Sequence, residues 1–275
     1  MEFVILGTAA AEAWPAPFCR CAPCVRAREL GGPNIRTRSG ALLDSVVKID
    51  FGPDVYAQMQ STGRDIADIT SLIFTHQHDD HITPSELGYR MRWFVTDTTL
   101  PTLSIYGNET VVETLEQRWP DAAAQEEIVA SIAPPLMPFQ AVTTPDGTEI
   151  LPLPADHAPK SLVLLLKRKG RNIFYGHDSG LYPDETVGAL AGVPLDLALF
   201  DCTYGVQASQ NRGHMGVSGV VDSIERLRAA GAVTDTTRLV ATHFSHNGKA
   251  LHDELKAVFA PHGVIVAYDG IVFEL

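Results

Sequence analysis

Apolar residues recur along the chain in short dense runs, divided by turn-forming residues and by stretches with helical spacing. Glu2–Leu6 reads as a first strand ending at Gly7-Thr8. Ala41–Leu43 and Val46–Ile49 read as a pair of short strands closing at Asp50-Phe51-Gly52, with a helix over Val55–Ser61 after Pro53. Ser71–Thr75 is a short apolar run of the kind buried on both faces. A helix-like segment follows from Pro84 to about Phe94, then a strand at Leu103–Tyr106 and a helix at Glu109–Arg118. Further strands are expected near 149–153, 162–168 and 172–176, then at Leu195–Phe200, Leu239–Thr242, Val264–Ala267 and Ile271–Phe273. Helices are expected at Pro183–Leu190, Val217–Ala229 and Lys249–Phe259.

Strands thus alternate with helices, yet several strand pairs are joined tightly, and Arg171-Asn172 reads as one such turn. That mixture predicts mixed sheets covered by helices, an α/β fold, not a purely parallel doubly wound sheet. Residues 9–39 look irregular and residues 119–138 show no clear period. No linker separates two halves and no short repeat is present, so residues 1–275 are read as a single domain.

Composition narrows the function. With 45% hydrophobic residues in 275, the chain can bury a large core. Asp and Glu outnumber Lys and Arg by 33 to 21, which argues against a nucleic-acid surface. A phosphate-bearing substrate remains compatible, because bound divalent ions invert the local field. No apolar stretch reaches the roughly 18–20 residues of a membrane span, and the first residues carry no basic leader. The expectation is a cytoplasmic protein. Three of the four cysteines crowd at 19, 21 and 24, with Cys202 alone, which suggests metal ligation before a disulfide framework.

The strongest chemical signal is Thr75-His76-Gln77-His78-Asp79-Asp80-His81, directly after an apolar strand. Imidazoles and a carboxylate at this density suit Zn²⁺, Fe or Mn²⁺. An extended strand end puts His76 and His78 on one side, and a tight turn can bring Asp80 and His81 to a second ion. The cluster cannot complete two coordination shells alone. His157, His177-Asp178, His243 and His246 follow apolar segments as strand-end ligands should. His252 and His262 read as surface or packing residues.

The H-x-H-x-D-H signature, with Asp50 before it and His157, Asp178 and His243 after it, resembles the metallo-β-lactamase superfamily over nearly the whole chain. The resemblance implies an αβ/βα four-layer sandwich, with two mixed β-sheets flanked by helices. It implies that His76, His78 and His157 hold one ion, that Asp80, His81 and His243 hold another, and that Asp178 joins them. Cys19-Arg20-Cys21-Ala22-Pro23-Cys24 together with Thr242-His243-Phe244-Ser245-His246 is similar to the phosphodiesterases related to PhnP. That likeness implies a structural Zn²⁺ on Cys19, Cys21, Cys24 and His246, so that 9–39 becomes a zinc-knuckle insertion. A Cys₃His set is a closed structural type, and a metal staple would order a segment without apolar periodicity.

The function implied is a metal-dependent phosphodiesterase acting on small, including cyclic, phosphodiesters through a hydroxide held by two divalent ions, Mn²⁺ or Zn²⁺. Asp80 and His214 are the expected catalytic residues, His214 as general acid to the leaving group. The expected partner is a small phosphodiester, without nucleic acid or membrane, and a homodimer is left open. Alternatives are another hydrolase of the superfamily, such as a thioesterase or lactonase, or a PqqB-like binding protein without catalysis. His177 departs from the small residue that many relatives carry, and its role is left open.

Overall fold

The structure, a computed structural model, describes residues 1–96 and 99–275. Among these residues the strands form two seven-stranded sheets. The first contains β1 (Glu2–Gly7), β2 (Gly40–Leu43), β3 (Val47–Ile49), β4 (Ser71–Ile73), β5 (Leu103–Tyr106), β6 (Ala130–Ile132) and β14 (Ile271–Glu274), in the order β14-β1-β2-β3-β4-β5-β6. The second contains β7 (Val142–Thr143), β8 (Glu149–Pro154), β9 (Leu162–Arg168), β10 (Arg171–Gly176), β11 (Leu197–Asp201), β12 (Arg238–Thr242) and β13 (Val264–Val266), in the order β13-β12-β11-β10-β9-β8-β7. Both are mixed. β3 to β6 run parallel to one another, as do β10 to β13, while the remaining pairs are antiparallel.

Side-chain alternation builds the layers. Val47 and Ile49 of β3 and Leu162, Leu164 and Leu166 of β9 share a core between the sheets. Their neighbours Leu42, Leu72, Val163 and Leu165 point the other way, into two outer cores. Apolar residues on both strand faces are what a sheet covered on both sides requires. Helices α2 (Val55–Thr62) and α3 (Glu109–Arg118) cover the first sheet. Helices α5 (Asp184–Leu190), α6 (Val217–Ala229) and α7 (His252–Phe259) cover the second. The result is the four-layer helix–sheet–sheet–helix sandwich that the resemblance implied.

Five expectations need correction. The turn between β9 and β10 is Lys169-Gly170, both at positive φ, and Arg171-Asn172 already belongs to β10. The 9–39 segment is not wholly irregular: α1 (Ala22–Leu30) has Pro near its start and Gly31 at its end, and Cys24 and Ala27 join the outer core. A nine-residue helix with two buried positions leaves too little apolar periodicity to read in advance. Pro84 to Arg90 is a 3₁₀ helix, shorter than the expected segment. Residues 119–138 contain α4 (Ala122–Glu127) and β6. The helix expected from Lys249 starts at His252, because Lys249 adopts a left-handed conformation that stops the preceding turn.

Candidate metal centre

The chemistry-bearing residues gather where the parallel strands of both sheets end. Asp50 follows β3, the 76–81 run follows β4, His157 follows β8, Asp178 follows β10, Asp201 ends β11 and His243 follows β12. Asp50, Asp178 and His243 all have positive φ, at 55°, 53° and 58°. Non-glycine residues rarely hold that conformation, and each instance costs about 1–3 kcal/mol. Three at one site mark the point where chain geometry yields to side-chain placement.

Two nitrogen-and-oxygen sets result. In the first, His76 Nε2 lies 2.9 Å and His157 Nε2 3.2 Å from His78 Nδ1. In the second, His81 Nε2 is 3.1 Å from Asp80 Oδ2, and His243 Nε2 is 4.0 Å from the same oxygen. Asp178 faces both: its Oδ1 is 3.7 Å from His157 Nε2, while its Oδ2 lies 3.2 Å from His81 Nε2 and 3.1 Å from His243 Nε2. All seven residues predicted as ligands of this centre are therefore brought together.

The residues fit metal ions on three counts. His81 Nε2 and His243 Nε2 are buried and make no hydrogen bond, although carboxylate oxygens lie close to them. Atoms aimed at a common point, not at one another, leave such orphans. Tetrahedral bonds of ~2.0–2.1 Å to nitrogen separate ligand atoms by about 3.3 Å, close to the spacing in the first set. The third count is electrostatic. Burial would raise Asp178, yet the His243 and His81 charges hold it well below the carboxylate range. Burial would lower His81, yet Asp178, Asp50 and Asp80 push it far up. Such a field favours positive charge between these groups.

Other groups fix the rings from behind. Asp50 Oδ2 accepts from His81 Nδ1 at 2.8 Å, and its Oδ1 accepts from the Thr75 amide at 2.9 Å. The Gly213 carbonyl accepts from His157 Nδ1 at 2.9 Å, and Thr203 Oγ1 lies 2.9 Å from His243 Nδ1. Asp201 Oδ2 accepts from His214 Nδ1 at 2.9 Å and lies 3.3 Å from His243 Nδ1. His214 sits at the open side of the centre, its side chain 22% exposed and its ring stacked on that of His243. Burial works against its charge, but Asp201 lifts its pKa to about 9. His177 donates from Nδ1 to Asp178 Oδ2 at 2.7 Å, which gives this unassigned residue a place beside the shared carboxylate.

Asp201, Thr203 and Thr75 were missed as supporting groups in the sequence. Asp201 carried a readable signal, an acid ending the apolar run Leu197–Phe200, the rule that picked out His243. Thr75 and Thr203 carried none, because threonine at a strand end is ordinary.

The cysteine set also assembles, with Cys19 Sγ 3.7 Å and Cys21 Sγ 3.3 Å from His246 Nδ1. Cys24 completes the group of four, whose candidate ligand atoms all lie within 4.8 Å of one another. Of the two histidines read as packing or surface residues, His252 is buried against Arg36 and His262 is exposed.

The family model for the Beta-lactamase superfamily domain matches residues 46–244, which span every residue of the two-set centre. The chain belongs to the metallo-β-lactamase superfamily. This is a superfamily of metal-dependent hydrolases. No curated protein matches the sequence. Solved structures similar to it include a new diphosphatase from the PhnP family, 21% identical with a TM-score of 0.75 over 100% of this chain and 97% of that one. Zn²⁺-bound PqqB from Methylobacterium extorquens is 17% identical with a TM-score of 0.76 over 100% of both chains. The short form of human tRNase Z is 18% identical with a TM-score of 0.65 over 100% of this chain and 99% of that one. At these identities the likeness is one of fold. No helix among the described residues is long and apolar enough to cross a membrane.

Proposed function

We propose that this superfamily member hydrolyses small phosphodiesters, cyclic ones included, at a centre for two divalent ions. The observation that carries the reading is the division of Asp178 between two complete ligand sets, with the Asp201–His214 pair at their open side. His76, His78 and His157 would hold one ion, Asp80, His81 and His243 the other, and Asp178 both. The ions, Mn²⁺ or Zn²⁺, would polarise the phosphoryl group and lower the pKa of water.

The protein's own part is positioning and proton transfer. Asp50, Thr203 and the Gly213 carbonyl fix which ring nitrogen of His81, His243 and His157 faces the centre. Asp201 accepts a hydrogen bond from His214 Nδ1–H, so Nε2 is the atom left to hold a proton for the departing alkoxide. Removing such a donor costs about 10²–10⁴ in rate. His214→Ala should slow an alkyl diester more than an activated aryl diester, and equal losses on the two would remove His214 from this role. In the same reading Cys19, Cys21, Cys24 and His246 hold a structural Zn²⁺.

The test is turnover of bis(p-nitrophenyl) phosphate with added Mn²⁺ or Zn²⁺, beside elemental analysis of the purified protein. Metal-dependent turnover supports the proposal. Metal binding without turnover on linear or cyclic diesters favours another superfamily hydrolase or a PqqB-like binding protein. The complete set of seven ligands favours catalysis.

A further inference from the structure

Lys48 lies on β3, on the strand face turned toward the outer core that Leu42 and Leu72 share. It is 1% exposed. No carboxylate oxygen lies within ion-pair distance of it among the described residues. Its ammonium donates to the Ile49 carbonyl at 3.0 Å and to the Asp50 carbonyl. Burial draws its pKa down to about 8, with the Asp50 charge opposing. A buried ammonium without a paired carboxylate is a cost that an apolar side chain at this place would not carry.

Those two carbonyls flank the point where β3 leaves its sheet and Asp50 turns to positive φ. The three residues from Asp50 to Gly52 form the bed of the ligand loop. The Asp50 carboxylate holds His81 Nδ1 and the Thr75 amide. The Phe51 amide donates to the His81 carbonyl at 2.7 Å, and the Phe51 carbonyl accepts from the Thr83 amide at 2.9 Å. Gly52 packs against the Asp80 carbonyl so closely that a Cβ there would collide with it. A shift of the backbone at 50 would therefore displace Asp80 and His81 together.

We infer that Lys48 is a positioning residue of the metal centre, whose ammonium clamps the left-handed turn at Asp50 and thereby sets Asp80 and His81. Lys48 touches none of the ligands itself. The inference rests on the two-ion reading of the centre and concerns this chain's own lysine.

The experiment compares wild type with Lys48→Met, which keeps the apolar stem and deletes the ammonium. Three quantities are read: the Tm of metal-free protein, Zn²⁺ affinity by competition with a chromophoric chelator, and amide exchange without metal. Expected are a Tm equal to or above that of wild type, a loss of about 10–100-fold in Zn²⁺ affinity at the histidine centre, and faster exchange confined to the Phe51, Thr75 and Thr83 amides. A lower Tm with unchanged Zn²⁺ affinity would make Lys48 merely structural and overturn the inference, as would no change in any reading. Lys48→Gln keeps one amide donor and should lose less affinity than Lys48→Met. It carries the same three readings should the Met variant fail to fold. If wild-type protein binds no Zn²⁺ at the histidine centre, the two-ion reading has failed and the clamp falls with it. Zn²⁺ bound normally by both wild type and Lys48→Met overturns the clamp alone.

Discussion

Behind each of His76, His81, His157 and His243 stands another group of the protein at hydrogen-bond distance, whereas Glu12 stands farther behind the histidine of the cysteine set. Thr75, Asp50, the Gly213 carbonyl and Thr203 back four of the centre's five rings at 2.8–3.0 Å. Glu12 Oε1 lies 3.4 Å from His246 Nε2 and accepts from Ser245 Oγ at 2.5 Å. The histidine rings of the centre rest on strand ends of two sheets; Cys19 and Cys21 rest on a loop and are partly exposed. The difference bears on which candidate site would depend on a metal for its shape. The centre's candidate ligands sit at the ends of hydrogen-bonded strands, so the fold itself places them. On the proposed reading the cysteine set would gain part of its order from a bound Zn²⁺, in the manner of a metal staple.

The sharpest way to break this comparison is Asp178→Ala. It deletes the carboxylate common to both ligand sets, and a fall of more than about 10³ in kcat/KM is expected, several kcal/mol of lost transition-state stabilisation. Elemental analysis should show the centre's metal lost while circular dichroism stays unchanged. A variant that loses its fold with the metal would show that the centre is no more preformed than the cysteine set.

Asp201→Asn should act less strongly, because the amide still accepts a hydrogen bond but carries no charge toward His214 and His243. A loss of about 10–100-fold in activity or metal affinity is expected. It should be accompanied by a fall in the His214 pKa, which NMR titration of the ring can follow. An unchanged titration would mean that Asp201 does not set the charge of that ring.

Cys24→Ala tests the other side. Activity at saturating metal should stay within a few-fold of wild type, while the Tm falls by roughly 4–8 °C for a loss of about 2 kcal/mol. Protease should then cut first within residues 9–39. A collapse of turnover with no change in Tm would place the cysteine set in the chemistry.

The smallest effect is expected at the far end of the sheets, where Arg168 bridges Asp44 and Asp146. Burial would raise the Asp44 pKa, but Lys169, the Glu2 amide and Arg168 hold it at about 2. A folded-state pKa below the unfolded value of ~3.9 gives stability that is full above about pH 4 and is lost as pH falls toward 2. Asp44→Asn should therefore cost on the order of 1 kcal/mol near neutrality, after allowance for solvent screening. In urea titrations that difference should vanish near pH 2. Metal content at both sets should stay the same, and a change there would couple the two ends of the sandwich.

The elements with strong periodicity were legible, and their chemistry with them. The 76–81 run announced itself because its ligands are local in sequence, and His157, Asp178 and His243 were found because each follows an apolar strand. The same rule applied to Asp201 and was passed over. Helix α1 was hidden because only two of its nine residues are buried, and β6 because a three-residue edge strand shows no alternation. Lys48 gave no signal as a lysine between valine and isoleucine, since burial is not a property of one position.

What the sequence determined by itself was the list of candidate ligands and the order in which the strands deliver them, because residue type and strand-end position are both written locally. The resemblance already implied their grouping around Asp178; what only the tertiary structure decided was the distances within each set and the groups that stand behind each ring. These depend on two sheets meeting with their parallel strands ending at one place. That meeting is fixed by contacts between residues more than a hundred positions apart, such as Val47 and Ile49 with Leu164 and Leu166 in the shared core, and no window of sequence contains both partners.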